Sequence, residues 1–350
     1  MQTIFVTGAE GFAGSLLTQQ LRQSGYQVWA GVRNRARKLA HERQQGQAIV
    51  CDVSDAINLA RAIASAKPDA VVHLAGFSHP HAASEMPLEA YQSIVTAWAN
   101  VLDAVRRITP RARVLLVSAC DVYGRAGADG QPLREDTPPQ PVSTFGKLKL
   151  TAESIAHTFY ERYHLNLTIA RTFHYTGAGQ PDSFFFGSIA HRLASWDPAV
   201  QGDTLALPDL QCRRDLLHVR DVVSAYERLL QDGKPNEIYN VCSGQAHTCG
   251  EIVQMKIPFA FGIEHRLVTV PPEFLDAWLE GGPVVGGELP RIDKRHAAAM
   301  HPKTDGHLLR RIGGGQARVD QVGHQRLASL EHFAGLRVHV HRQPHVTAQF

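Results

Sequence analysis

Gly8, Gly11 and Gly14, in the stretch VTGAEGFAG, follow a short β-branched run and open an amphipathic one. That spacing suits a phosphate-binding turn. The first glycine permits the tight turn, the second lets main chain approach a pyrophosphate, and the third lets a helix pack closely on the preceding strand. Unpaired N–H groups and the positive end of the helix dipole then face the phosphates. Thr7, Gly8, Gly11, Phe12 and Gly14 are therefore read as dinucleotide-binding residues. The end of the second strand selects the dinucleotide. An Asp or Glu there would bind the ribose 2′-hydroxyl of NAD, whereas an Arg accommodates the 2′-phosphate of NADP. The stretch GVRNRARK has Arg33 at that place, followed by Arg35, Arg37 and Lys38. NADP is favoured over NAD on this basis; the alternative is a solvated basic helix start. Further on, CDVSD sets Asp52 and Val53 beside the adenine, and HLAG sets Leu74, Ala75 and Gly76 along the nicotinamide side.

The elements that must position these residues alternate. TIFVTG, QVWAGVR, AVVHLAG, RVLLVSA, NLTIARTF and EIYNVCSG read as strands. FAGSLLTQQLRQSG, a stretch from about Ser143 to Tyr163, and VRDVVSAYERLLQDG read as helices. Strands apolar throughout and separated by helices indicate a parallel sheet covered on both faces. A chain of 350 residues suffices for one large domain or two modest ones. A net charge of +3 gives no electrostatic footprint for nucleic acid. Cys51, Cys120, Cys212, Cys242 and Cys249 lack CxxC spacing and fit reduced thiols better than a disulfide framework or zinc site. No HExxH or paired spacing of ligands suggests a metal. The chain enters its first strand without a leader, and no run approaches the ~18 apolar residues of a membrane span. The expectation is a soluble cytoplasmic protein. Past Met255 the composition turns rich in Gly, His and Arg, with EFLDAWLEGG a candidate helix and LRVHVH a candidate strand.

Three further stretches, RTFHYTGAGQPDSF at 171–184, RRDLLHVRDVVSAY at 213–226 and GKPNEIYNVCSGQ at 233–245, join the glycine loop in an order that is specific. Over about residues 2 to 254 the chain resembles the extended short-chain dehydrogenase/reductase family, the NAD(P)-dependent nucleotide-sugar epimerases, dehydratases and reductases. Within it, the chain is most similar to the reductases of GDP-4-dehydro-6-deoxy-D-mannose, which form GDP-D-rhamnose. The resemblance implies an α/β fold: a doubly wound parallel Rossmann sheet from 1–174 with 216–242, and a smaller C-terminal substrate domain from 175–215 with 243–350, atypical after about 255. It implies a GDP-linked 4-keto-6-deoxy sugar as partner, with no nucleic acid and no membrane. A homodimer through helices near 90–105 and 145–162 follows by the same analogy. Arg214 matches the family's phosphate-binding arginine, its alternative being a surface Arg–Asp pair. His174 stands where the family has a substrate-touching Asn. The likeness stops near GEIVQM, and the last ~95 residues read as a shifted reading frame or a replaced end.

The same resemblance exposes a gap in the chemistry. Reduction of a 4-keto sugar moves a hydride to carbon and a proton to oxygen. The family delivers that proton from a Tyr, assisted by a Lys four residues on and by a Ser or Thr that hydrogen-bonds the carbonyl. In PVSTFGKLKLTAES the lysine is Lys149, but the tyrosine position holds Phe145. In SACDVYG the hydroxyl position holds Ala119, and Ser118 is one step early, on the opposite face of a strand. Cys120 and Asp121 follow; the 4,6-dehydratases carry Asp–Glu there, so dehydration is disfavoured. Ser93 replaces a family Asn. Tyr123 and Tyr175 are candidate substitutes for the acid, with Cys120, Thr144 and Ser143 weaker, although both tyrosines read better as packing residues. The expectation is a site that folds and binds but turns over poorly. The alternatives are a non-catalytic NAD(P)- or nucleotide-sugar-binding protein and an epimerase of the same superfamily.

Overall fold

Runs such as VLLV at 114–117 carry apolar side chains on both faces, and they form the middle of a sheet. In the computed structural model, which describes residues 2–127, 131–195, 210–255 and 339–340, the strands are β1 (Thr3–Thr7), β2 (Gln27–Val32), β3 (Ala48–Val50), β4 (Ala70–His73), β5 (Arg113–Ala119), β6 (Leu167–Thr172), β7 (His174–Thr176), β8 (Arg213–His218), β9 (Ile238–Cys242), β10 (Ala246–Thr248) and β11 (His339–Val340). The helices are α1 (Phe12–Gln23), α2 (Arg35–Gln45), α3 (Ala56–Ala66), α4 (Pro80–Glu85), α5 (Pro87–Tyr91), α6 (Ala97–Ile108), α7 (Thr144–Tyr163), α8 (Phe185–Ser195), α9 (Val219–Asp232) and α10 (Cys249–Met255). A π-helical turn, Gln92–Thr96, joins α5 to α6.

The main sheet runs β3-β2-β1-β4-β5-β6-β9 in parallel, with β11 antiparallel at the β9 edge. Strand order reverses direction between β1 and β4, the switch point at which doubly wound sheets hold ligands. Side-chain alternation divides each strand between two faces. Phe5, Val71, Val114 and Leu116 pack with Leu59 and Ile63 of α3, Trp98 and Leu102 of α6, and Phe145 and Ala156 of α7. Ile4, Val6, Val72 and Leu115 face the other way, against Leu17 and Leu21 of α1 and Val222, Tyr226 and Leu229 of α9. Each fully buried Leu, Ile or Val contributes roughly 1.5–3 kcal/mol, so the two layers lock the sheet from both sides.

The described chain separates into two compact units: residues up to 184 with 215–245 and 339–340, and residues 185–195 with 210–214 and 246–255. In the first unit β7 pairs in parallel with β8, Tyr175 opposite Leu217 and Thr176 opposite His218. The strand expected in LRVHVH is described at His339–Val340. The helix expected in EFLDAWLEGG lies outside the described residues. No described helix is long and apolar enough to cross a membrane.

Candidate active site

The glycine loop lies at the switch point. Gly8 adopts φ +69°, and a Cβ there would fall 2.7 Å from the Ala75 nitrogen, so an L side chain would be both strained and blocked. A Cβ on Gly14 would collide with the Gly8 carbonyl oxygen. The Gly11 N–H closes the turn on the Gly8 carbonyl at 3.0 Å. Gly11 is also the N-cap of α1 and offers no side chain to the first-turn donors. A turn kept bare of side chains, with helix N–H groups that no cap claims, fits a pyrophosphate. Thr7 accepts from the Ala75 N–H at 3.3 Å and meets His73 Nδ1 at 2.8 Å, which ties the ends of β1 and β4 together behind the loop. Phe12 stacks on Tyr175, ring centroids 6.0 Å apart.

Arg33, Arg35 and Arg37 are exposed at the end of β2 and the start of α2, whose N-cap Asn34 accepts from the Arg37 N–H. Lys38 pairs with Glu42 at 3.7 Å. The Asp52 carboxylate accepts from the Ser54 N–H and hydroxyl at 2.9 and 2.6 Å. Those bonds, with Arg33 nearby, hold it below the usual carboxylate range. Val53 packs on the α3–α6 layer, and its carbonyl accepts from Asn100 at 3.0 Å. Leu74 packs on the α1–α9 layer. Beyond Gly76, the Phe77 N–H donates to Ser93 Oγ at 3.1 Å, and Ser93 belongs to the π-helical turn. Such turns widen a helix locally and recur beside functional sites.

Helix α7 brings Phe145 and Lys149 onto one face. Ser143 caps it, its hydroxyl accepting from the Gly146 N–H at 3.0 Å, which commits that oxygen to the backbone. Phe145 is buried in the α3–α6–α7 layer. The Lys149 ammonium donates to the Val117 carbonyl at 2.8 Å and lies 5.6 Å from the ring centroids of both Phe145 and Trp98. Burial of the ammonium draws its pKa down to about 8, against the opposing pull of Glu153 and Asp121. Ala119, at the end of β5, contributes only a methyl group. Ser118, expected on the opposite face of the strand, instead turns toward α7, as Val114 and Leu116 do, and donates to Glu153 of that helix, which pairs with Arg171 at 2.7 Å among buried atoms.

Neither substitute tyrosine offers its proton here. The Tyr123 hydroxyl donates to Asn240 Oδ1 at 2.7 Å in a buried position, and burial raises its pKa. Burial raises Tyr175 to about 12. Cys120 Sγ lies 3.9 Å from His174 Nδ1 and 4.0 Å from an Asp121 oxygen, which gathers Cys120, Asp121 and His174 at the end of β5. Arg214 belongs to the second unit. It is exposed, its Nη1 donates to the Arg213 carbonyl at 3.4 Å, and Asp215 is engaged elsewhere, accepting from Ser243 and Gly244. Among the described residues no group of three or more His, Cys, Asp or Glu could hold a metal.

Two features at this site lack a sequence signature. His73 ends β4 fully buried, with Nε2 unpaired by any described group, and stacks edge-on against Trp98 at 6.3 Å. Asn240 holds the Tyr123 hydroxyl from a strand 117 residues away.

Comparison with known proteins gives a consistent result. Residues 5–266 match the GDP-mannose 4,6 dehydratase family. The GDP-6-deoxy-D-mannose reductase of Pseudomonas aeruginosa is 34% identical over 204 residues, spanning 58% of this chain and 67% of that protein. The dTDP-6-deoxy-L-talose 4-dehydrogenase (NAD(P)(+)) of Kitasatospora kifunensis is 28% identical over 270 residues, spanning 77% of this chain and 82% of that one. The structure of RMD from Pseudomonas aeruginosa complexed with NADPH aligns with a TM-score of 0.63 at 30% identity, covering 72% of this chain and 82% of the other.

Proposed function

The chain belongs to the GDP-mannose 4,6 dehydratase family of nucleotide-sugar enzymes, and from that premise we propose that it is a reductase of a GDP-linked 4-keto-6-deoxy sugar whose proton-delivering groups have been replaced. Its cofactor is NADP or NAD, as in the solved relatives that bind NADPH or NAD, with Arg33 favouring NADP. In this reading Gly8, Gly11 and Gly14 admit the pyrophosphate, Lys149 holds the ribose hydroxyls, and Arg214 takes a substrate phosphate. The bound nicotinamide supplies the hydride.

The chain's own residues then handle the oxygen poorly. Lys149 keeps a cation beside the site, but Phe145 has no proton to give and Ala119 no hydroxyl to donate. A positioned acid is worth ~10²–10⁴ in rate and an oxyanion donor ~10²–10³, and groups acting together are not additive. Hydride and carbonyl are still held together, so turnover is slow rather than forbidden.

The observation that carries the reading is local. Phe145 sits buried one turn before Lys149, while the hydroxyls of Tyr123, Ser118 and Ser143 are bonded elsewhere. The test follows NADPH oxidation with GDP-4-dehydro-6-deoxy-D-mannose in the native chain and in Phe145→Tyr with Ala119→Ser. The double variant should be faster by at least ~10²-fold. Equal and high rates in both would refute the missing-acid account. NADPH binding with no turnover in either would favour a non-catalytic binder.

A further inference from the structure

In the second unit, Cys212 precedes the first residue of β8 and Cys249 opens α10. Two backbone hydrogen bonds hold the segments side by side. The Cys249 N–H donates to the Cys212 carbonyl at 2.8 Å, and the Gly250 N–H to the Leu210 carbonyl at 2.9 Å. Between them the two Sγ atoms lie 2.9 Å apart. That is well inside the contact distance of unbonded sulfurs and a small adjustment from the ~2.05 Å of a disulfide. The main chain thus fixes the pairing before any chemistry occurs.

We propose that Cys212 and Cys249 are a redox-responsive thiol pair that hydrogen peroxide closes to an intrachain disulfide. Cys212 is half-buried and Cys249 wholly buried, so Cys212 meets the oxidant first. Its thiolate attacks one peroxide oxygen; an S–O bond forms, the O–O bond breaks, and hydroxide leaves, taking up the thiol proton as water. The Cys249 sulfur then attacks the sulfenic sulfur; the S–S bond forms, the S–O bond breaks, and a second water leaves with the Cys249 proton. Two thiols lose two electrons, and one peroxide becomes two waters. The remaining cysteines are placed differently. Burial pushes both Cys51 and Cys242 up to about 12, which keeps their thiols protonated. Cys120 lies next to the Asp121 carboxylate and the His174 ring.

Closure would link two positions 37 residues apart in sequence. It would also anchor the backbone that carries Arg213 and Arg214. Cross-links over such loops restrict the unfolded chain, so the oxidised protein should unfold at a higher Tm than the reduced one.

The test uses the full chain, reduced, freed of reductant and exposed to a slight excess of hydrogen peroxide, then alkylated and digested with trypsin without reduction. Cys242 and Cys249 share the tryptic peptide 229–256, so fragment-ion sequencing must separate them. The expected product is one peptide pair joined through Cys212 and Cys249, lighter by two hydrogens than the separate peptides, with the other three cysteines alkylated. In Cys212→Ser the pair should vanish and Cys249 should be recovered as a thiol. Should that variant fold poorly, the native chain oxidised in urea supplies the contrast, because only the folded chain should favour this pairing. Full alkylation of both cysteines after treatment that oxidises Cys120, a cross-link through Cys242 instead, or equal yield in urea would each overturn the proposal.

Discussion

Replacing a phenol with a phenyl ring deletes one oxygen and, with it, the proton. If Phe145 stands for a tyrosine, as proposed, the exchange leaves packing intact, since the ring is buried among Trp98, Ala152 and Ala156. In the proposed reading the sequence shows this loss because the lysine one turn later keeps its place, whereas strand alternation misplaces Ser118, which bonds Glu153 of α7 on the Phe145 side of the sheet. His73 was not legible in the same way: a histidine ending an apolar strand carries no sign of its burial or its neighbours. Burial pushes its imidazole down to about 3, with the positive charge of Lys149 acting in the same direction. The unfolded chain takes up that proton near the ordinary ~6.5. Between the two values only the unfolded state is protonated. The stability from neutral His73 is therefore fully present above pH ~6.5 and lost as pH falls toward 3, at up to ~1.4 kcal/mol per pH unit. Urea midpoints near neutral pH and near pH 5 should accordingly differ more in the native chain than in His73→Phe, which keeps a ring against Trp98. The same pH dependence in both proteins would contradict a neutral, buried His73.

Helix α7 shows how an element can be legible in outline and opaque in its anchoring. Its span follows from the Ser143 cap and the periodic apolar residues, and the glycine loop before α1 follows from spacing alone. Short elements such as β3, α4 and α5 carry too few residues for either period to declare itself. What fixes α7 to the sheet is longer-ranged still. Glu153 of α7 meets Arg171 of β6 and Ser118 of β5, all buried, and Arg171 lies 4.8 Å over the Tyr123 ring. Such partners depend on which strands become neighbours, so no local pattern announces them. Removing one member of a buried pair leaves the other charge uncompensated, at a cost of ~3–5 kcal/mol. Glu153→Ala should therefore lower stability to denaturant by about that amount, whereas exposed Glu161→Ala on the same helix should change it by no more than ~0.5 kcal/mol. Urea unfolding of both variants distinguishes a helix clamped through Glu153 from one held by its apolar face alone, for which the two losses would be similar.

For the molecule as a whole, the cofactor site is also a stability site. A ligand that binds the folded chain and not the unfolded one stabilises by RT ln(1 + [L]/Kd), ~2.7 kcal/mol at a hundredfold excess over Kd. The two pyridine nucleotides differ by one phosphate, and Arg33 stands exposed at the end of β2 close enough to Asp52 to lower its pKa. A guanidinium can take a phosphate with two parallel hydrogen bonds. A carboxylate at the same place would repel that phosphate and accept from a ribose hydroxyl. At equal concentrations NADPH should therefore raise the Tm more than NADH. Arg33→Glu should reverse the order while leaving the Tm of the ligand-free chain little changed, because the side chain is solvated. Thermal unfolding with each nucleotide reads this directly and needs no substrate, so it stands apart from whether the chain turns over. If NADH stabilises the native chain as strongly as NADPH, Arg33 belongs to the surface of α2 and not to the cofactor, and the discrimination must come from another residue on the β2–α2 connection.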